Sequence, residues 1–446
     1  MKFSKFGRIA LALAVSLGTG LGVTSCSTDH TVGYFWITGA QYNQIAGYRI
    51  DNNQGQLTVN PGSPYGSNGV NPVRAVVTTA GKFLYVLNAG CGAAGQAACP
   101  AGTPANLAAP NIALFSVGGQ GSLSFQQSYT SQGSLPVSLL ADTTGTHLLV
   151  LDSLSPNRAN CVSTGGAANC GDITAFNIDQ NTGRLSLITN LQVKDTNGTN
   201  LTYFPIGTGP IEFTLFNSAF VYAIEKGSGT AGDPNQGVFV YQFSAMNGQL
   251  TLTQNTPLPT GATNLSYIFA SPSFVYLLDT LTPPGATPTA PGQILPYTSG
   301  TNGGLQALVG GTVPNTGTTA NPTTMLVDHL GKFVYIANRG PNLTASSAAS
   351  TVSAFFINSN SAGQLQALSS GAATGGNSVP FGSGSGPRCI VEDPSNQYLY
   401  TANFDSGTVT GGVINQQTGT LTNLRKSSVF TTVGQPTWCV MSGTLF

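Results

Sequence analysis

The pattern of apolar and polar positions along the chain repeats. Residues 322–338 read PTTMLVDHLGKFVYIAN: an apolar run at Met325, Leu326 and Val327, a turn over Asp328 to Gly331, and a second apolar run starting at Phe333. Two short runs split by a tight turn predict an antiparallel hairpin. With the four strands of a unit named A to D, strand A follows Pro72, Pro136, Pro210, Asn264, Pro322, Pro387 and Pro436. Strand B carries the aromatic run, as in Phe83-Leu84-Tyr85-Val86 and Tyr398-Leu399-Tyr400. Strand C follows, as at 112–117 and 352–357. Strand D begins after a glycine-containing turn, as at Arg184-Leu185 and Gln364-Leu365.

Each strand type occurs seven times, and the starts of strand A lie 49 to 74 residues apart. Four strands at this period predict an all-β fold, a seven-bladed β-propeller of four-stranded antiparallel blades. A single blade cannot cover both of its faces, so the ring is the folding unit. The N-terminus supplies strands B, C and D of one blade, and the C-terminus ends on a lone A-like strand after Pro436. The ring is therefore expected to close by pairing of the N- and C-terminal strands, which removes a sheet edge.

Strand direction alternates, so A–B and C–D turns share one face of the disc, and B–C and D–A loops share the other. The turns are short throughout. The insertions fall in B–C and D–A loops, at 89–111, 153–172, 190–209, 280–292, 339–351 and 369–386. Long loops on a rigid scaffold are the usual place for binding.

Charge and composition change this picture in two ways. Charged residues make up only 7% of the 446-residue chain, against roughly 25% in a typical soluble protein. The surface is thus built mainly from hydroxyls and amides. The first 25 residues read as a processing segment: Lys2, Lys5 and Arg8 precede an apolar stretch over 9–23 that ends Val23-Thr24-Ser25-Cys26. This resembles a bacterial lipobox, which implies lipidation of Cys26 and a membrane partner through that anchor. Ser27 follows, with no aspartate, so in a Gram-negative cell the expected location is the outer membrane, or the cell surface or periplasm as a lipoprotein. The domain reading is a signal peptide over 1–25, a tether over 26–32 and the propeller over 33–446. Cleavage takes three of the 15 basic residues and leaves 12 against 15 acidic ones. No basic run remains, so nucleic acid has no electrostatic footing. A monomer is expected.

Seven cysteines fit export. Cys26 accounts for the odd one, and the others suggest Cys91–Cys99, Cys161–Cys170 and Cys389–Cys439, among 15 pairings that the sequence allows. No C-x-x-C spacing suggests a metal, and no cofactor is indicated.

The repeat P-x-x-[apolar]-x-x-D-x-x-G-[KR]-x-[apolar]-Y-[apolar]-x-N, followed by x-F-x-[ID] and T-G-x-L, resembles the lactonase family of seven-bladed propellers, which includes the propeller type of 6-phosphogluconolactonase. It is carried by 322–338 with Phe355-Phe356-Ile357, by Gly386-Pro387-Arg388 with 393–403, and by Phe176-Asn177-Ile178-Asp179 with Thr182-Gly183-Arg184-Leu185. The resemblance covers the chain after its leader and implies lactone hydrolysis. In such enzymes a comparable G-P-R is followed by histidine at the rim of the central pocket; here Cys389 takes that place.

The candidate chemistry is sparse. Arg388 and Arg74 are placed to bind an anionic group, and Glu212, two residues after Pro210, faces the channel and needs a partner. These three are the catalytic candidates. Asp152, Glu225 and Asp279 end strand B in successive blades, where other blades have Asn338 and Asn403; the five are pocket candidates, or else caps of B–C turns. His147 and His329 fall in A–B turns and read as surface residues away from the pocket. The expected function is a cell-envelope binding or scaffold module, taking a small molecule, glycan or protein on its long-loop face. The alternative is an exported lactone hydrolase.

Overall fold

The computed structural model describes residues 30–93, 96–156, 170–225, 237–253, 258–282, 286–316, 321–340, 350–358, 363–368 and 381–443. Seven antiparallel sheets are arranged around a central channel, each with strand order A-B-C-D. The innermost strands, from blade 1 to blade 7, are Pro436–Gly443, Pro72–Val77, Ser134–Ala141, Pro210–Phe216, Leu265–Ala270, Pro322–Val327 and Pro387–Glu392. Strand B is buried on both faces, as in Phe83–Asn88 and Phe333–Asn338. Its unbroken apolar character follows, because a neighbouring blade covers each side.

The ring closes as expected. Strand B of blade 1, Thr31–Gly39, pairs with Pro436–Gly443, with Phe35 opposite Met441 and Ile37 opposite Cys439. Cys389 and Cys439 form a disulfide between the A strands of blades 7 and 1, with Cα atoms 5.7 Å apart. Cys91 and Cys99 staple the B–C loop of blade 2. Cys170 is disulfide-bonded, and Cys161 lies outside the described residues. So do residues 1–29, including Cys26. The first strand begins at Thr31, two residues before the expected propeller boundary.

The outermost strand differs from expectation. In six blades D comes in two pieces that pair with opposite ends of C. In blade 3, Leu185–Leu187 pairs with one end of Cys170–Ile178, and Phe204–Thr208 with the other. Much of each D–A "insertion" is thus an excursion between two halves of one strand. Only blade 2 has a continuous D, Leu123–Tyr129.

The repeat motif has a physical basis at the blade contacts. The C–D turn glycine of each blade has positive φ, as at Gly183 (70°), Gly303 (78°) and Gly419 (70°). A Cβ there would strike the first residue of strand B in the preceding blade, Phe83, Phe220 and Phe333 respectively. The tyrosine two positions further along B donates its hydroxyl to that glycine's carbonyl: Tyr85 to Gly183 at 2.6 Å, Tyr222 to Gly303 at 2.9 Å, Tyr335 to Gly419 at 3.0 Å and Tyr400 to Gly55 at 2.8 Å. In blade 1 the Trp36 indole N–H takes over, 3.1 Å from Gly121 O. Glycine and tyrosine recur together because one packs against and bonds to the other across each interface.

Candidate functional site

Every A strand carries the same irregularity. Its pairing with B shifts register just after the proline position, as between Pro72 and Arg74, Pro210 and Glu212, Leu265 and Tyr267, and Pro387 and Cys389. A bulge re-aims the side chains around it, and a bulge repeated seven times sets two layers around the channel. The bulged residue of each strand forms the outer layer: Thr437, Val73, Val137, Ile211, Ser266, Thr323 and Arg388. The residue after it forms the inner layer: Trp438, Arg74, Ser138, Glu212, Tyr267, Thr324 and Cys389.

The inner layer is a polar plate. Arg74 Nη2 is bonded to Glu212 Oε2, and Ser138 Oγ donates to Glu212 Oε1. Arg74 also lies over the Trp438 ring, 3.9 Å from its centroid, a favourable placement for a guanidinium on an indole. Tyr267 sits 6.4 Å from the same ring, and burial, with the Glu212 charge adding, raises its phenol well above the ordinary value. The side chains of Arg74 and Glu212 are 18% and 5% exposed. The partner that Glu212 needs is therefore Arg74, two blades away. Cys389, in the same layer, is locked in its disulfide and has no thiol to titrate.

The outer layer shows what is unusual about Arg388. Elsewhere its position is apolar or a hydroxyl that reaches the next blade: Ser266 Oγ to Pro322 O at 3.1 Å, and Thr323 Oγ to Pro387 O at 2.8 Å. Arg388 instead stands over the Phe404 ring, 4.6 Å from its centroid, and stays open to solvent. Arg339 nearby is paired with Asp405 at 3.0 Å. The protein crowded around Arg388 thins its hydration. That effect first, then repulsion from Arg339 and Arg74, holds its pKa below the ordinary value, against the attraction of Asp405. Among the described residues Arg388 has neither an ion pair nor a hydrogen bond. Of the three catalytic candidates, Arg74 and Glu212 are thus bonded to each other, and Arg388 lies above them toward the long-loop face.

Below the polar plate the channel widens into a cavity of about 510 Å³. Its roof includes Glu212, Tyr267 and Trp438. Its walls are A-strand side chains such as Val77, Leu215, Phe269 and Val327, and it reaches the A–B turns at Thr143 and His329. His329 therefore lines the cavity, contrary to the expectation from sequence. Its Nδ1 is 3.2 Å from Glu392 Oε2, and its backbone N–H donates to the same oxygen at 3.0 Å. The sequence signal was available: blade 7 has Glu392 just before its turn aspartate, where blade 6 has Val327. His147 differs from expectation as well. It is 3% exposed, bonded through Nδ1 to Asp142 Oδ2 at 3.0 Å and packed edge-on to Phe243. Burial acts upward on Asp142, but hydrogen bonds from His147, Thr144 and Thr146 outweigh it and hold the carboxyl below its ordinary range.

The residues that end strand B do not line the cavity; they are buried within the blades. Asp279 accepts from the N–H groups of Thr263, Asn264 and Leu281 at 2.8 to 3.0 Å. Glu225 accepts from Thr208 N–H. Asn338 donates to Thr351 and Ser353, and Asn403 to Thr408 and Thr410. Asp152 lies opposite Asp172 on the neighbouring strand. Desolvation raises both carboxyls, and the Asp152 charge raises Asp172 further. The pair was not legible from sequence, because Asp172 is the third residue of a strand whose start is hidden in the insertion.

Residues 303–441 match the model of the family described as lactonase, 7-bladed beta-propeller. Over that stretch, under a third of the 446-residue chain, the sequence is similar to the lactonase propellers. Solved structures extend the likeness to the whole fold. A putative 6-phosphogluconolactonase from Bacteroides fragilis is 17% identical, with 93% of this chain and 99% of that one covered and a TM-score of 0.59. A putative 6-phosphogluconolactonase from Bacteroides uniformis gives 13%, 92%, 100% and 0.64. A periplasmic gluconolactonase from Pseudomonas aeruginosa gives 14%, 93%, 100% and 0.62. At these identities the likeness is one of fold. No curated protein matches the sequence.

Proposed function

We propose that the protein is an exported, lipid-anchored propeller that binds a small anionic ligand, of the sugar-acid class, at the channel mouth on its long-loop face. The observation that carries this reading is Arg388, an exposed arginine with no ion pair among the described residues, mounted over Phe404. A guanidinium offers a carboxylate two parallel N–H donors, and the aromatic ring beneath it holds the fork in place. The lipobox-like Val23-Thr24-Ser25-Cys26 supports the anchor. The names of the structural neighbours, which concern phosphogluconolactone and gluconolactone, support the ligand class.

The second reading is lactone hydrolysis at the same mouth, favoured by the same neighbours and by the Arg74–Glu212 pair just below. The two readings separate in one experiment. Protein lacking residues 1–25 is assayed for hydrolysis and for binding against a panel of sugar lactones and their open acids, alongside Arg388→Ala. Binding without turnover, lost in the variant, is the expected result. Turnover above buffer that Arg388→Ala abolishes favours the hydrolase. Neither binding nor turnover across the panel contradicts both.

A further inference from the structure

The cavity beneath the polar plate holds a group that the long-loop face does not use. His329 is 40% exposed at its side chain and lines the cavity, while the carboxylate behind it, Glu392, is only 3% exposed. Glu392 Oε2 takes both the imidazole Nδ1 and the His329 backbone N–H, and Oε1 is buried with no partner among the described residues. A carboxylate at Nδ1 fixes the hydrogen there and leaves Nε2 as the free nitrogen. This is the relation of a general base to the group that orients it.

The equivalent turns elsewhere make the contrast. Thr79 reaches Thr143 O in the next blade at 2.9 Å, and Asn217 reaches Pro272 O at 3.0 Å. Those side chains spend their polar atoms on the staple. His329 makes the staple with one nitrogen and keeps a second, titratable one. Hydrogen bonding to Glu392 raises the imidazole pKa against the opposing effect of burial, and the Glu392, Asp393 and Asp328 charges add to it. Lys332, in the same turn, is the nearest basic residue along the chain.

We propose that His329, positioned by Glu392, is the general base of a second site that opens on the A–B turn face and hydrolyses carboxylic esters or lactones with an apolar body. The walls set the substrate class: Val77, Leu215, Phe269 and Val327 are hydrocarbon, and about 510 Å³ holds a small organic molecule. In the step, His329 Nε2 takes a proton from a water as its oxygen bonds to the carbonyl carbon. The tetrahedral intermediate then collapses, the ester C–O bond breaks, and the imidazolium returns the proton to the departing alkoxide. No other reactant is consumed.

The test uses the protein lacking residues 1–25 with a series of p-nitrophenyl alkanoates and alkyl-substituted lactones. Hydrolysis above buffer is expected, with kcat/KM falling about 10²-fold in folded His329→Ala. The wild-type rate is expected to rise with pH along a single limb above the ordinary histidine value. Glu392→Gln is expected to move that limb to lower pH and to reduce kcat more than KM, which loss of a mere staple would not do. If His329→Ala does not fold, the wild-type pH limb and the Glu392→Gln shift decide. No hydrolysis above buffer, a rate flat in pH, or full activity in a folded His329→Ala overturns the proposal.

Discussion

Arg74 of blade 2 and Glu212 of blade 4 are bonded across the channel, past the Ser138 hydroxyl of the blade between them. One contact thereby ties three blades at the level where the A strands converge. Both side chains are largely withdrawn from water, so the pair owes its stability to being complete. Removing one partner of a buried pair typically costs about 3–5 kcal/mol, whereas replacing both by apolar groups is often near neutral. Arg74→Ala and Glu212→Ala are each expected to lower stability by that order in denaturant titration. Arg74→Met with Glu212→Leu is expected to recover most of the loss. Additive losses in the double variant would contradict the coupling.

The seam should behave as a clamp. The Cys389–Cys439 loop spans a sequence separation of 50, for which the chain-entropy relation gives about 4 kcal/mol. Cys389→Ser with Cys439→Ser is expected to lower the denaturation midpoint by that order. The Cys91–Cys99 bridge closes only a surface loop of separation 8, and Cys91→Ser with Cys99→Ser is expected to cost less. Equal losses would show that the seam has no special place.

The glycine–tyrosine contact sets a graded expectation. Tyr335→Phe removes one hydroxyl from Gly419 O and is expected to cost about 1 kcal/mol. Gly419→Ala meets both a positive φ and the Phe333 ring, so thermal unfolding should show a larger loss. The reverse order would remove the packing explanation of the repeat.

Asp152 and Asp172 give the stability a pH dependence of definite sign. Both folded-state pKa values are raised above the unfolded ones. Their contribution is therefore fully present below the unfolded carboxylate value of ~4 and is lost as pH rises through the folded values, by about 1.4 kcal/mol per pH unit for one proton. Asp172→Asn is expected to flatten that fall between pH 5 and 8, read as denaturation midpoints. An unchanged slope would mean that the pair is not held protonated.

These relationships divide by how far the sequence reaches. Blade number, strand order and ring closure were legible because each blade repeats the same two-faced pattern, and a missing first A strand implies a last one. The disulfide at Cys389 was legible as spacing plus that closure. The Arg74–Glu212 contact was half legible: the direction of Glu212 follows from its place in strand A, but its partner depends on the radius of the ring. Tyr267 was missed because Leu265, one residue beyond Asn264, holds the position that is proline in other blades, and only the bulge puts Tyr267 level with Glu212. His147 was misread because a turn was equated with exposure, and His329, exposed as expected, because its turn was placed away from the channel. In a ring of seven, the A–B turns rim the channel, and a side chain pointing inward from one meets the next blade. Of the two readings for Glu225 and Asp279, pocket or turn cap, their backbone N–H partners fit the cap: the end of strand B is near the elaborated face yet enclosed by the blades on either side.

Arg388, which has no ion pair among the described residues, is proposed to hold an anion at the channel mouth, and calorimetric titration with gluconate measures that binding. Saturable one-site binding by the protein lacking residues 1–25 is expected, weaker at high salt and at least tenfold weaker in Arg388→Ala at an unchanged melting temperature. Equal affinity in the two proteins, or an affinity indifferent to salt, would contradict it.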